Sequence, residues 1–413
     1  MRTVKKKTLI PGYMQKFSCI GSTCEDTCCA GWQVNIDRKT YKTYKNLRDN
    51  KLTPLVEKHI KRVRTNASEH NYAQIIHTDD LTCPFLNKEK MCSFQLGYGE
   101  DYLSNTCNTY PRVPNIINGI LEKSATLSCP EAARLALLNP EPMEFFEIEE
   151  ETNLSTIISK QLQTDAISEL NSARKYFWEL RIFTIKVLQY RKYSLADRLV
   201  FLGVFYDKLQ QIINDRQFDA IPQIISTFEG IFDTLQANIA EVPTSYELQL
   251  QLVKRLIDQR VLFGVNNNAY LECVEETLAG IHYKENIAMN ELAQQYRNVY
   301  HSYFSPFLAK HEYILENYMV NYVFKNLFPF TIDANRVYDD YVLLILHFSM
   351  IKLHLIGMSG YHKDSFSIEH VIKAIYSFGR AVEHSPAYLY KLAEVLKQHD
   401  HSTLAHMAIL IKN

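Results

Sequence analysis

YVLLILHFSMIKLHLIGM, residues 341–358, is the most apolar stretch in the C-terminal part of this 413-residue chain, yet it contains His347, Lys352 and His354. Three ionisable side chains are unusual in a membrane-spanning helix, because each one is costly in the bilayer core. The stretch therefore predicts a helix buried in a protein core. Its two histidines, seven residues apart, are expected to be hydrogen-bonded core residues rather than ligands.

Helical periodicity extends outward from this stretch. In YSLADRLVFLGVFYDKLQQIIN (193–214), apolar side chains recur every three or four residues. Ser194 stands three residues before Asp197, which predicts a helix start of the capping-box type. No sequence repeat and no alternation of strands and helices is visible. The other segments with this period are 165–192, 222–239, 245–262, 283–301, 307–327, 338–357, 368–383 and 386–397.

The N-terminal third has a different character. Eight of the nine cysteines lie there, the last of them at Cys129, and proline and glycine turn signals interrupt its short apolar runs. NPEPMEFFEIEEETN (139–153) is predicted to be a linker. The expected fold is mainly α: a cysteine-rich metal-binding domain of loops, short helices and a minor hairpin over 1–138, followed by an α-helical bundle-like domain over 154–413.

Charge is unevenly distributed along the chain. Residues 1–140 carry 20 Lys+Arg against 13 Asp+Glu, whereas the remainder carries 25 against 33. This pattern indicates either a basic face for an acidic partner or two surfaces of opposite sign that dock together. No nucleic-acid motif and no secretory signal is found. We therefore expect a cytoplasmic protein that does not bind nucleic acid and does not insert into a membrane.

CIGSTCEDTCCAGW (19–32) places four cysteines within eleven positions. Cytosolic thiols stay reduced, which disfavours disulfides, and thiolates are soft ligands for zinc or for iron in iron–sulphur clusters. The paired C-x2-C of zinc ribbons is absent, and the adjacent Cys28 and Cys29 do not suit one tetrahedral zinc. The alternative is that the cysteines are buried structural thiols. The predicted metal ligands are Cys19, Cys24, Cys28, Cys29, Cys83, Cys92, Cys107 and Cys129.

Motifs of several enzyme classes are missing. Cys24 and Cys28 have the first spacing of the C-x3-C-x2-C loop of radical enzymes that use S-adenosylmethionine, but position 31 is glycine. No P-loop is present, and no G-x-G-x-x-G follows a strand pattern. GYGED (97–101) lacks the flanking strand and helix that a phosphate-binding loop needs. The residues alone thus predict a metal-binding domain joined to helices.

Several longer segments of the sequence resemble the flagellin lysine N-methylase family, and together they extend over nearly the whole chain. The cysteine words are also similar to those of a broader group of small zinc- or iron-chelating proteins. The words in question are PGYMQKFSCIGSTCEDTCCAGWQVNIDRKTYKTYKN (11–46), CPFL (83–86), LGYGEDYLSNTCNTYPR (96–112), LSCPEAARLAL (127–137), ENYMVNYVFKNLFPF (316–330) and IYSFGRAVEHS (375–385).

This resemblance implies methyl transfer from S-adenosylmethionine to the ε-amine of lysines on flagellin. A lysine at its usual pKa of about 10.4 is mostly protonated, so the site needs a base or a desolvating pocket. Our hypothesis is that a cysteine-bound iron–sulphur cluster of the [4Fe–4S] type, or alternatively zinc, orients the donor. The competing interpretation is a non-catalytic metal-binding or electron-transfer protein whose helical domain binds a protein partner.

Candidate site residues outside the cysteines follow from chemistry and spacing. Carboxylates and tyrosines beside the cysteine words are candidate bases, with exposed surface carboxylates as the alternative. Arg112 suits a donor carboxylate or a structural salt bridge. Polar residues four apart share a helix face and can line a pocket or form an interhelical hydrogen-bond network. The predicted catalytic residues are Glu100, Asp101 and Tyr110, and the predicted donor-binding residues are Arg112, Asn317, Tyr318, Asn321, Arg380 and His384.

Overall fold

The computed structural model describes residues 3–153, 157–169, 171–240, 242–385, 388 and 402–413. The chain forms two compact units. The first comprises Met1–Ala132 and Phe145–Gln161, and the second comprises Ala133–Glu144 and Leu162–Asn413. The chain therefore passes between the units three times, whereas the predicted linker at 139–153 would have joined them once.

Two small sheets organise the first unit. The larger has the order β7-β1-β6-β5-β8, and the smaller has the order β2-β4-β3. The sheets exceed the minor hairpin predicted from sequence, although the turn signal Asn118-Gly119 does join β5 to β6 with both residues at positive φ. The strands are β1 Thr3–Pro11, β2 Asn35–Ile36, β3 Ile60–Arg62, β4 Ala73–Ile75, β5 Arg112–Ile117, β6 Ile120–Ala125, β7 Phe145–Asn153 and β8 Lys160–Leu162.

Opposite charges face each other across β1 and β7. These strands are antiparallel, with Lys6 opposite Glu150 and Lys7 opposite Glu149. The ammonium of Lys7 lies 2.8 Å from the carboxylate of Glu147 on the same pair of strands. Such cross-strand pairs stabilise one register over its neighbours. Residues 145–153, predicted as linker, are therefore an acidic edge strand that pairs with the basic start of the chain.

Short helices complete the first unit, as predicted. Asp37 caps the first of them by accepting hydrogen bonds from the backbone of Thr40 at 2.9 Å and of Asn105 at 3.1 Å. Aromatic stacking fills the core, with the rings of Tyr44 and Phe94 4.1 Å apart. The helices numbered in this part of the chain are α1 Arg38–Lys45, α2 Leu52–His59, α3 Ser93–Tyr98, α4 Asn105–Thr109 and α5 Pro130–Leu137, the last of which lies mostly in the second unit.

The second unit is helical, as the periodicity predicts. Ser194 caps α7 by accepting from the backbone of Asp197 at 3.1 Å, which confirms the predicted helix start. The predicted helix at 165–192 is shorter than expected, and the segment 386–397 lies outside the described residues apart from position 388. The helices are α6 Phe177–Leu188, α7 Leu195–Asn214, α8 Ile221–Ala240, α9 Tyr246–Leu262, α10 Asn268–Gly280, α11 Met289–Val299, α12 Ser305–Asn326, α13 Val337–His362, α14 Ile368–Phe378 and α15 Leu404–Ile411.

Helix α13 runs through the core of this unit. Among the described residues, only the helical stretch Val337–Ser365 has the length and composition to cross a membrane, and its most apolar window is completely buried inside the protein. The histidines are satisfied as predicted: Nδ1 of His347 lies 2.7 Å from the carbonyl of Leu343, and Nδ1 of His354 lies 3.0 Å from the hydroxyl of Thr277. The stretch is thus a core helix.

Glycines bring α10 and α13 into backbone contact. A Cβ added to Gly280 would lie 1.8 Å from the carbonyl oxygen of Gly357, and a Cβ added to Gly357 would lie 2.5 Å from the carbonyl oxygen of Thr277. Both distances are below any real van der Waals contact. Helix α10 was not predicted from sequence, because its buried face contains Thr277 and Gly280 where the 3.6-residue pattern expects large apolar residues.

Gly357→Ala should destabilise the protein. The added methyl has no space against the backbone of α10, so overpacking should lower the free energy of unfolding by about 1–3 kcal/mol. Gly230→Ala is the matched control: it lies within α8, a Cβ there meets nothing within 4 Å, and helix propensity should leave stability unchanged or raised. Urea unfolding followed by circular dichroism measures both. Equal stability of the two variants would contradict the close contact.

Candidate functional site

Backbone hydrogen bonds between two chain segments of the first unit bring Cys29 and Cys83 together. Gly31, at a φ of 77°, donates its backbone N–H to the carbonyl of Leu81 at 3.1 Å. An isolated β-bridge joins Ala30 to Thr82, and the backbone N–H of Cys83 donates to the carbonyl of Cys29 at 2.8 Å. The turn that carries Cys29 is therefore held directly against the strand-like segment that carries Cys83.

Two more cysteines reach the same core from short helices. Cys92 is the residue before α3 and forms a β-bridge with Leu86. Cys107 lies in α4, where its backbone N–H donates to the hydroxyl of the capping Ser104 at 3.2 Å. Cys83, Cys92 and Cys107 all pack in one cluster with Phe94. Three cysteines from separate segments of the sequence therefore pack together in the folded protein.

The thiols of this group interact electrostatically. Burial raises the pKa of Cys83 to about 12, with a further contribution from Cys107, Cys92 and Cys28. Burial likewise raises the pKa of Cys107 to about 12, again helped by Cys92 and Cys28. Without a bound cation, Cys83 and Cys107 keep their protons at neutral pH. The sulphur atoms of residues 28, 83, 92 and 107 are close enough that, if these thiols were ionised, their negative charges would repel.

A second group of sulphur atoms shares Cys28. Burial raises the pKa of Cys129 to about 11, and Cys24 and Cys28 add to the effect. The sulphur atoms of Cys28 and Cys29 are 3.9 Å apart. Cys19 is exposed. Across the described ranges, no three side chains of His, Cys, Asp or Glu are arranged to hold a metal ion as they stand. The structure gathers seven of the eight predicted ligands, and their ligand role stays a prediction.

Aromatic side chains connect the two groups. The indole of Trp32 donates to the carbonyl of Cys28 at 2.7 Å, and its ring lies 5.7 Å from that of Tyr110. The hydroxyl of Tyr110 lies 3.1 Å from that of Ser128, the neighbour of Cys129. Of the three residues predicted to act in catalysis, Tyr110 is thus joined to the cysteines by its contacts. We refer to Cys24, Cys28, Cys29, Cys83, Cys92, Cys107 and Cys129, together with Trp32 and Tyr110, as the cysteine centre.

The remaining candidates of the first unit differ in exposure. The guanidinium of Arg112, half-buried at the start of β5, lies 5.3 Å from the centre of the Phe17 ring. Within the part of the chain that the structure describes, Arg112 forms no salt bridge, so the structural alternative has no partner there. Glu100 and Asp101 are exposed in the 3₁₀ turn Glu100–Tyr102. Their surface position suits solvated carboxylates.

A buried polar cluster lies in the second unit, between α12 and the π-helical turn Gly379–Glu383 that follows α14. The hydroxyl of Tyr318 donates to one carboxylate oxygen of Glu383 at 2.6 Å, and the ammonium of Lys325 binds the other. The side chains of Lys325 and Glu383 are 10% and 7% exposed, so the pair is largely removed from water. Sequence analysis found Tyr318 but missed both charged partners.

Charge holds Glu383 in its ionised form. Burial alone would raise its pKa, but Lys325, His347 and Tyr318 outweigh burial and lower it to about 2. Burial lowers the pKa of His347, so its imidazole adds positive charge beside Glu383 only in acid, where that carboxylate titrates. A carboxylate with so low a pKa is a poor proton acceptor. Glu383 can orient a hydroxyl or hold a cation, but it does not suit the role of general base.

The other donor-site candidates of this unit are only partly brought together. Asn317 is buried, and its amide donates to the carbonyl of Asn139 at 2.9 Å, while its own oxygen has no hydrogen-bond partner among the described residues. Asn321 is also buried on α12. Arg380 and His384 lie in and directly after the π-helical turn, and His384 is exposed. The contacts of Asn317 match neither alternative fully, because its amide binds backbone at the end of α5 while its oxygen is left without a partner among the described residues.

A second charged network was also missed. The carboxylate of Glu316, 1% exposed, binds the guanidinium of Arg191 at 2.8 Å and that of Arg198 at 2.8 Å. Arg198 also reaches Glu312 at 2.9 Å. This network joins α7 to α12. A signal was present in the sequence, since Arg198, Glu316 and Lys325 each interrupt an otherwise apolar helical face.

Comparison with known proteins places the chain in a family. Residues 181–410 match the FliB lysine N-methylase C-terminal domain, which is more than half of the chain. The chain belongs to the FliB lysine N-methylase family. The resemblance seen in the sequence is therefore confirmed, and it supports a lysine methyltransferase at the level of the family. No solved structure matches the chain.

Its relatives include proteins of similar length. The chain is 24% identical to the lysine-N-methylases of Salmonella typhimurium (strain LT2) and Salmonella choleraesuis (strain SC-B67), over 91% of this chain and 91% of each relative. The flagellar biosynthetic protein FliU of Salmonella muenchen is 31% identical over 138 residues, which is 33% of this chain and 80% of that protein. Similarity to the lysine-N-methylases thus includes both units.

Glu383→Gln should remove a pH-dependent part of the stability. Because the folded pKa of Glu383 lies below its ordinary value of 4.5, its stabilising effect is complete above that pH and is lost as pH falls toward about 2. The variant leaves Lys325 uncompensated and should lower the unfolding free energy at pH 7 by about 3 kcal/mol. Urea unfolding at several pH values measures this.

The control for this prediction is Glu369→Gln, which changes an exposed carboxylate 3.9 Å from Arg134. Its stability should change by less than about 0.5 kcal/mol, with an unaltered pH dependence. The assignment of Glu383 would be contradicted if both variants showed the same stability profile between pH 2 and pH 7 as the unmodified protein.

Proposed function

We propose that this protein transfers methyl groups from S-adenosylmethionine to lysine side chains of flagellin in the cytoplasm, before the flagellin is exported. The observation that carries the proposal is the match to two lysine-N-methylases over 91% of this chain and 91% of each relative. The name of a third relative, flagellar biosynthetic protein FliU, supports a flagellar substrate. The cysteine centre of the first unit is our candidate source of the chemical groups.

The chemistry sets two requirements. The lysine nitrogen must first lose a proton; its lone pair then attacks the methyl carbon as the carbon–sulphur bond breaks, which leaves a neutral thioether and a methylated ammonium. Nitrogen, carbon and sulphur must lie in line, so binding and orientation account for much of the rate. The amine must also be deprotonated near neutral pH, which burial or a base achieves. No radical and no redox step is needed.

The cysteine centre fits a soft metal by the chemistry of its donors. Cys83 is buried, Cys92 and Cys107 are partly buried beside it, and Cys28 is exposed but close enough to interact with Cys83 and Cys107. A bound cation would replace the protons of these thiols. We propose that these four hold an iron–sulphur cluster, or zinc as the alternative. When bound, the metal would stabilise this unit and supply a Lewis acid beside it. Cys129 and Cys24 are the alternative ligands if one of these four does not bind the metal.

Arg112 is our candidate for the donor carboxylate. It carries five N–H donors, its ring contact with Phe17 fixes its position, and in the described residues no salt bridge occupies it. It follows Tyr110 by two residues, so it lies beside the cysteine centre in the same unit. In the helical unit, Tyr318 is oriented by Glu383 and is an independent candidate residue.

The activity can be measured directly. Purified protein incubated with S-adenosylmethionine and flagellin should add increments of about 14 Da to flagellin lysines, detected by mass spectrometry of tryptic peptides. Arg112→Met should raise the KM for S-adenosylmethionine at least tenfold, since a charge-assisted bidentate contact is lost. Glu247→Gln, an exposed change in α9, is the control. Without any increment from the unmodified protein, the methylase proposal fails and the metal-binding or electron-transfer interpretation is favoured.

Metal binding is tested separately. Protein purified without oxygen should contain iron and acid-labile sulphide, or zinc, and Cys83→Ser and Cys107→Ser should each reduce the bound metal more than twofold. Cys273→Ala is the matched control, because this ninth cysteine is buried in the helical unit 3.7 Å from Ser377. Elemental analysis and absorption spectra give the content. Equal metal in all variants would contradict the assigned ligands.

A further inference from the structure

A cavity of about 250 Å³ opens on the helical unit between α6, α7 and α8. Half of its lining residues are aromatic, namely Phe183, Tyr190, Phe201, Phe228 and Phe232. None of the residues predicted from sequence, and neither of the two polar networks, lines this cavity. It is therefore a separate site, which we call the aromatic cavity.

The rings of the aromatic cavity pack edge to face. The ring centres of Tyr190 and Phe232 are 4.9 Å apart at 63°, and those of Phe201 and Phe232 are 4.3 Å apart at 72°. These rings border the cavity, and aromatic faces carry negative electrostatic potential. A wall of this kind attracts a cation that carries an apolar stem.

Two carboxylates stand at the rim of the cavity, and each already holds an ammonium group. Glu229 lies 3.4 Å from the ammonium of Lys186, and Asp233 lies 3.0 Å from that of Lys192. Asp233 also accepts a hydrogen bond from Tyr193 at 2.8 Å. The four ion-paired side chains are 48–67% exposed. Exposed pairs of this kind are worth at most about 1 kcal/mol, so another ammonium group can replace them.

Gly230 is an exposed residue at the edge of the cavity. It lies within the 20-residue helix α8, and a Cβ at this position would meet no atom within 4 Å. Glycine in a helix interior costs about 1 kcal/mol relative to alanine. Packing does not require this glycine, in contrast to Gly357. Because Gly230 lines the cavity, a large side chain at this position should obstruct access to it.

We propose that the aromatic cavity binds the side chain of a lysine of the protein substrate, either unmodified or methylated, with its ammonium group at Glu229 and Asp233. The aliphatic stem of lysine would lie along the rings, and methyl groups on the nitrogen would increase its contact with them. This inference rests on the proposed function, because it identifies the group that is recognised as the substrate and product of that reaction. A neutral side chain of the same length lacks the charge that the rim attracts.

Binding is tested with three short peptides, acetyl-Gly-X-Gly-amide, in which X is lysine, trimethyl-lysine or norleucine. Saturation-transfer NMR with the full chain should show saturable binding of the two cationic peptides and binding at least tenfold weaker for norleucine. Gly230→Leu should obstruct the cavity and abolish this binding. Thr227→Leu, an exposed change on the same helix that does not line the cavity, should leave it intact.

The outcomes separate this inference from the proposed function. If the unmodified protein methylates flagellin, Gly230→Leu should raise the KM for flagellin about tenfold while kcat is kept. Methylation with the same KM in both proteins, or equal binding of norleucine and lysine peptides, would overturn the cavity inference and leave the proposed function standing. Binding of cationic peptides that Gly230→Leu removes would support the cavity even if no methylation of flagellin were detected.

Discussion

Burial of residues 340–360, the central stretch of the 26-residue helix α13, is the constraint on which the helical unit depends. Every polar group on α13 must find its partner inside the protein, since an unpaired buried group costs several kcal/mol. His354 is met by Tyr270 and Thr277 of α10, and the ammonium of Lys352 donates to the carbonyl of Ile411 at 2.6 Å. Burial lowers the pKa of Lys352 to about 7. The polar residues of α13 thus select its neighbours, and the glycines set how closely they approach.

The first unit is built on a different principle. Its strands and helices are short, and its core consists of a few stacked rings with sulphur atoms among them. Asp37 binds two separate segments at once, and the basic strand β1 needs the acidic strand β7 as its partner. A small core gains much from a cross-link between distant segments. A metal held by cysteines from three segments would provide one without a disulfide.

Local patterns predicted the helical unit well and the first unit poorly, for a physical reason. Helix α7 was found because its cap and its apolar stripe are adjacent in sequence, whereas β1 pairs with β7, a strand far along the chain that no local pattern connects to it. Helix α10 was missed because close approach replaces large apolar residues with Thr277 and Gly280. At the candidate site, the cysteine words and Tyr318 were visible, but Lys325 and Glu383 are distant in sequence and only the fold joins them.

The carboxylates of the helical unit fall into two classes, and this division indicates where a substrate lysine is received. Glu316 and Glu383 are buried and already paired, so displacing their partners would leave an arginine or lysine uncompensated in the core. Glu229 and Asp233 are half-exposed, and losing their present partners costs little because water and a new ammonium replace them. A cationic side chain therefore exchanges at the surface pair. The buried pairs instead hold α12 against α7 and against the π-helical turn that follows α14.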